Sequence, residues 1–154
     1  MNRVPSDIIK CVFHFLGSGT RFKAQHPEFH KFFYKMSQLA EYESLMSCMT
    51  FDASQSYPFC SVVDFALDRL QLSNLLVSLN PNMDWFEASE RLASDIHELE
   101  LFSDEETRQI KEMAELFRKE FIDRKRTVAD YNNSLIRKTA AIMRGDRTEM
   151  EGGE

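Results

Sequence analysis

The sequence predicts a mainly α-helical domain that carries one small β-hairpin, and three observations predict it. Apolar residues recur at helical spacing through most of the chain. Between residues 57 and 92 that period changes: Val63, Ala66, Leu67 and Leu70 fall at i, i+3, i+4 and i+7, after which Leu75, Val77 and Leu79 alternate. Met83 and Trp85 return across Asn80-Pro81-Asn82, the composition of a turn. Five Gly and four Pro leave few breaks, and thirteen Phe with eight Met supply ring-rich, adaptable core material.

The elements follow in order. A first helix is expected over about Ser6 to Leu16, with Ile8, Val12, Phe15 and Leu16 on one stripe and Gly17-Ser18-Gly19 as its stop. A polar loop follows. Pro27 suits the first turn of a second helix, in which Phe29, Phe32, Phe33, Met36 and Leu39 hold helical spacing. Tyr42 to Met49 extends it or forms a short helix, and Met49 to Asp52 reads as a brief strand paired with the hairpin. After the hairpin, Ser89 caps a short helix that runs through Leu92 and Ile96 toward Leu99 to Phe102. Ser103 and Glu106 form a capping box for a helix bearing Ile110, Met113, Ala114, Phe117 and Phe121. These elements make one domain over 1–123. Residues 124–144 read as a basic helical extension and 145–154 as a disordered acidic tail.

Charge and cysteine usage narrow the function classes. The net charge is −6, unevenly spread: residues 1–117 hold ten Lys and Arg against eighteen Asp and Glu, net −8, whereas 118–144 hold eight against three, net +5. The last ten residues hold one against four. An acidic body does not lie along a duplex, so any nucleic-acid contact must be local. Cys11, Cys48 and Cys60 are widely spaced and odd in number, the pattern of reduced, buried thiols in a cytoplasmic protein. Asp7, Lys10 and His14 interrupt the apolar run from Ile8 to Leu16, and no stretch approaches a membrane span.

Candidate chemistry is sparse. His26 and His30 have the spacing of two ligands on one helix face, but no carboxylate stands at ligand spacing and Pro27 makes His26 a cap residue. They read as ordinary helix-terminus histidines, with no metal or cofactor implied. The acidic run Glu98, Glu100, Asp104, Glu105 and Glu106 suits a helix N-terminus. No nucleophile, base and orienting group are visible together, so the expectation is a non-catalytic protein. In the hairpin, alternation turns Trp85 inward and Phe86 outward. Phe86, with Met83, Asp84 and Glu87, is then the candidate surface for a partner protein. The alternative reading is a transcriptional regulator whose basic segment, through Arg124, Lys125, Arg126, Arg137 and Lys138, contacts phosphates. The helix of 60–74 cannot easily do so, since it carries Asp64, Asp68 and only Arg69, and the hairpin carries no Lys or Arg. Val128, Tyr131, Leu135 and Ile142 approximate a heptad seam, broken by Lys138, that can pair two chains or fold back on the body.

A helix running straight into a hairpin is winged-helix-like, and residues 51–77 resemble the winged-helix domain of the Panacea-type antitoxins and related small bacterial proteins. Ser56-Tyr57-Pro58-Phe59 stands where that family has a Gly-Pro-Tyr-Ser-like turn, Leu67 and Leu70 match its paired leucines, and Asn74-Leu75-Leu76 matches its Gly-Leu-Ile-like step. Tyr57 and Asn74 replace two of the family's glycines, though Asn tolerates a left-handed backbone. The resemblance spans about residues 6–121. It implies a protein that binds and neutralises a partner toxin by direct contact, and with the acidic body the expectation is an antitoxin-like inhibitor or an adaptor.

Overall fold

The structure, a computed structural model, describes residues 3–79, 84–94 and 96–123. The chain divides into two compact units, Met1–Arg118 and Lys119–Glu154. The first is mainly helical with a three-stranded antiparallel sheet. Its elements are α1 (Ser6–His14), β1 (Arg21–Lys23), α2 (His26–Gln38), α3 (Glu43–Met46), α4 (Ser61–Leu72), β2 (Leu76–Leu79), β3 (Trp85–Ala88), α5 (Glu90–Ala93) and α6 (Asp104–Phe117). Short 3-10 turns occupy Ala40–Tyr42 and His97–Leu101, and a π-helical turn follows over Arg118–Asp123. No described helix is long and apolar enough to cross a membrane. The tip of the hairpin at 80–83 and the expected extension and tail lie outside the described residues, as does the heptad-like seam of 128–142.

Local chemistry sets most boundaries. Gly17 and Gly19 take φ of 91° and 76°, which turns the chain out of α1 and lets Gly19 and Thr20 pair with Ala88. Pro27 sits in the first turn of α2. The Ser103 hydroxyl accepts from the Glu106 amide at 3.1 Å while the Glu106 carboxylate accepts from the Ser103 amide at 3.0 Å, so the capping box is complete. Ser89 caps α5 with its hydroxyl alone, which accepts from the Leu92 amide at 3.2 Å, and that helix ends at Ala93, short of the expected span. At the end of α4, Asn74 adopts a left-handed φ of 58°. The Leu75 amide reaches the Leu70 carbonyl and the Asn74 amide reaches that of Gln71, which together close a Schellman motif.

That motif corrects the expected facing of the hairpin. Leu75 is the residue whose amide returns to Leu70, not the first residue of the strand, and both are buried. The strand therefore begins one residue later than the alternation assumed, and a slip of one exchanges the faces. Leu76, Phe86, Ala88 and Phe22 point inward, whereas Val77, Leu79 and Trp85 lie on the outer side. The third strand is also different. It is β1, from the supposed polar loop, paired as Arg21↔Glu87, Phe22↔Phe86 and Lys23↔Trp85, giving the order β1-β3-β2. The expected strand at Met49 to Asp52 reduces to a single bridge, Asp52↔Phe59. Through β1 the outer side gains Arg21 and Lys23, two cations that the hairpin alone lacks.

The core is built on rings. Phe13, Phe22, Phe29, Phe86 and Phe117 come from five elements and touch with centroids 5.2 to 6.1 Å apart. The Phe86→Ala variant should lose about 3–5 kcal/mol of stability in chemical denaturation. Val77→Ala, on the opposite side of the same hairpin, should lose about 1 kcal/mol or less. Equal losses would contradict the observed facing.

Candidate functional site

Of the four hairpin residues expected to form a contact surface, Met83 lies outside the described residues and the other three have separate fates. Phe86 is 2% exposed and packs against Phe22, Phe29 and His26. It belongs to the core and cannot anchor a partner. Glu87 accepts from Arg21 Nε at 3.1 Å across the sheet, and Asp84 is exposed, its carbonyl held by the Ala24 amide. Arg124, Lys125, Arg126, Arg137 and Lys138 also fall outside the described residues.

The exposed apolar surface lies instead on α4. Its inner stripe, Val63, Ala66, Leu67 and Leu70, is buried as the periodicity predicts. Its outer side carries Phe65, 51% exposed, and Leu72, 84% exposed, with Ser61, Asp68 and Arg69 beside them. A helix turns 100° per residue, so Phe65, Asp68 and Leu72 share one outward seam. The Arg69 guanidinium lies 5.4 Å from the centre of the Phe65 ring, an arrangement that holds the ring against the helix. Val4, Pro5 and Val62 extend the apolar surface around Phe65 into an open hollow of about 410 Å³. Single exposed apolar residues are ordinary; here Phe65 shares one hollow with Val4, Pro5 and Val62, and Leu72 stands about two turns further along α4. Phe65 and Leu72 were legible as a second stripe seven residues apart, outside the core set.

A second, more polar cleft of about 280 Å³ lies beside Arg69, between α1, α4 and the segment of 91–98. Its charges are largely engaged within the protein. Lys10 Nζ meets Glu98 Oε1 at 2.6 Å, and although burial pulls the Glu98 carboxyl upward, the Lys10 contact, a backbone hydrogen bond and the nearby His97 together hold the group below its ordinary value. Arg91 donates to the Ser73 carbonyl at 3.4 Å.

The N-terminus of α4 is fixed by a buried histidine. His30 is fully buried, stacked on Phe59 at 4.9 Å, and 34 residues from its partner Asp64. Its Nδ1 accepts the Cys60 amide at 3.0 Å, so the ring is neutral with its proton on Nε2, which donates to Asp64 Oδ1 at 3.1 Å. His30 is thus a core residue and not the helix-terminus residue that its spacing from His26 suggested. The two imidazoles do not converge: His26 packs on Phe29 and Phe86. Among the described residues no group of three or more His, Cys, Asp or Glu is placed to hold a metal ion.

Two of the thiols, Cys11 and Cys48, are held toward the protonated, unreactive form. Burial, reinforced by Glu98 and Asp7, pushes Cys11 up to about 12. Cys48 is at the surface, contrary to expectation, yet its thiol leans on the Leu45 carbonyl at 3.6 Å and desolvation raises it. Comparison with protein-family models, curated proteins and solved structures finds no match.

Burial lowers the His30 pKa below its ordinary value of 6.5, against the opposing pull of Asp64. The unfolded chain then binds a proton that the folded chain refuses, so stability should fall as pH drops from about 6.5 into the window below it, and level off above. Urea denaturation between pH 8 and pH 5 measures this slope. His30→Gln, which cannot charge, should be less stable at neutral pH and should lose the slope in that window. An unchanged slope would assign the effect to other groups.

Proposed function

We propose that this chain is a non-catalytic protein-binding module of winged-helix-like architecture, acting as an inhibitor or adaptor, and that its contact surface is the outward side of α4. The observation that carries the reading is the apolar hollow of Phe65, Val62, Val4 and Pro5 together with Leu72 about two turns further along α4, Phe65 and Leu72 both being more than half exposed. Apolar groups held in water on a rigid helix are the anchors from which interfaces draw most of their energy. The architecture is supported by the order α1-β1-α2-α4-β2-β3, by the sheet order β1-β3-β2, and by the direct passage from α4 into the β2–β3 hairpin through Asn74.

In a duplex-reading protein of this layout, the helix before the hairpin enters the major groove and presents cations and hydrogen-bonding side chains. Here that helix presents Phe65, Asp68 and Leu72, with Arg69 engaged over Phe65. A carboxylate and two apolar groups suit a protein surface better than a phosphate backbone. The outer side of the sheet is a weaker alternative, because Trp85 and Leu79 are half-buried and Val77 is only 37% exposed.

Phe65→Glu with Leu72→Glu should leave the melting temperature nearly unchanged, since both positions face solvent. The same double variant should reduce the recovery of a specific partner from the source cell by about tenfold or more relative to wild type. Equal recovery by the two proteins would overturn α4 as the contact surface.

A further inference from the structure

The outward seam of α4 has a chemical pattern as well as a shape. Phe65 and Leu72 are one heptad apart, and Asp68 lies between them on the same side of the helix. At 1.5 Å per residue the two apolar groups are separated by about 10 Å along the axis, the repeat that a second α-helix presents. Ser61, one turn before Phe65, keeps the near end of the seam small. An apolar–carboxylate–apolar seam offers a packed helix two anchor positions with one charged position between them.

A second copy of this chain fits that seam badly. If two α4 helices pack in parallel about a twofold axis, Asp68 faces Asp68 of the other copy in the same layer. If they pack antiparallel with Phe65 against Leu72, the two Asp68 side chains fall on the same side of the interface, one residue rise apart. Both arrangements bring like charges together as the seam is desolvated, which disfavours self-pairing. A cation at the corresponding position of a different chain removes the penalty and turns it into a charge-assisted contact. Asp64, half-exposed and accepting from His30, stands on the same flank of the seam as Asp68, whereas Arg69 lies on the other flank over Phe65.

Resting on the reading of α4 as the contact surface, we infer that its occupant is an amphipathic helix of a partner protein carrying a lysine or arginine between two large apolar residues, each three or four positions away. The cation sits over Asp68 while the apolar groups pack on Phe65 and Leu72. Affinity comes chiefly from the two anchors, and the choice of partner from the charge between them.

A displayed library of helical peptides, with the central seam positions randomised, tests this when selected on the full-length chain. Enriched peptides should carry Lys or Arg flanked by Leu, Met or Phe, and should bind Leu72→Glu about tenfold or more weakly. Repeating the selection on Asp68→Lys should move the preference at the central position to Asp or Glu. An unchanged preference on Asp68→Lys, or no enrichment over Leu72→Glu, would overturn the inference. So would light scattering that shows a dimer dissolved by Leu72→Glu, which would make a second copy the occupant. If partner recovery from cells depends on Phe65 and Leu72 but not on Asp68, the inference falls and the contact surface stands. Independence from Phe65 and Leu72 removes both.

Discussion

Five phenylalanines set the geometry on which everything else in the first unit depends. Phe13 of α1, Phe22 of β1, Phe29 of α2, Phe86 of β3 and Phe117 of α6 meet in mixed stacked and edge-on contacts. Each buried ring contributes about 1.5–3 kcal/mol through area alone, with roughly 0.5–1.5 kcal/mol more per well-placed aromatic pair. Because each ring comes from a different element, the cluster fixes how those elements sit against one another. A three-residue strand such as β1 has too few ladder hydrogen bonds to hold itself, and Phe22 at its centre supplies the anchor.

Helix α4 is attached differently, and the difference explains how one helix can serve both the core and the surface. Its inner stripe is aliphatic, Val63, Ala66, Leu67 and Leu70, and it closes at one end with the Schellman motif at Asn74. At the other end His30 takes the Cys60 amide and reaches Asp64. Both ends are held by directional hydrogen bonds and one side by packing, so the outward seam of Phe65, Asp68 and Leu72 is presented on a rigid support. Preorganisation of this kind lowers the entropy lost when a surface is covered.

Much of this was legible in the sequence wherever the signal was local. The capping box at Ser103 and Glu106, Pro27 in the first turn of α2, the glycines after α1 and the inner stripe of α4 are all patterns within a few residues. What escaped was set by distant groups or by a single-residue phase. Phe22 alone cannot announce a three-residue strand, because its pairing partner Phe86 is 64 positions away. His30 is an unremarkable histidine until Cys60 and Asp64 are brought to it. The facing of Phe86 was lost to one residue, since Leu75 ends the helix motif and does not begin the strand. The apolar seam on α4 was present in the letters as Phe65 and Leu72, but an amphipathic reading attends to one stripe and passes over the second.

The short first strand has one more effect. β1 lies at the border of the sheet and points Arg21 and Lys23 away from the interior, to either side of Phe22. A border so brief, and so charged, is a poor template for an incoming extended peptide, whose main-chain groups would find few places to bond. Association by added strands is therefore discouraged on that flank. The exposed hydrophobic residues kept elsewhere, on α4, can then be tolerated without inviting fibrous assembly along that border.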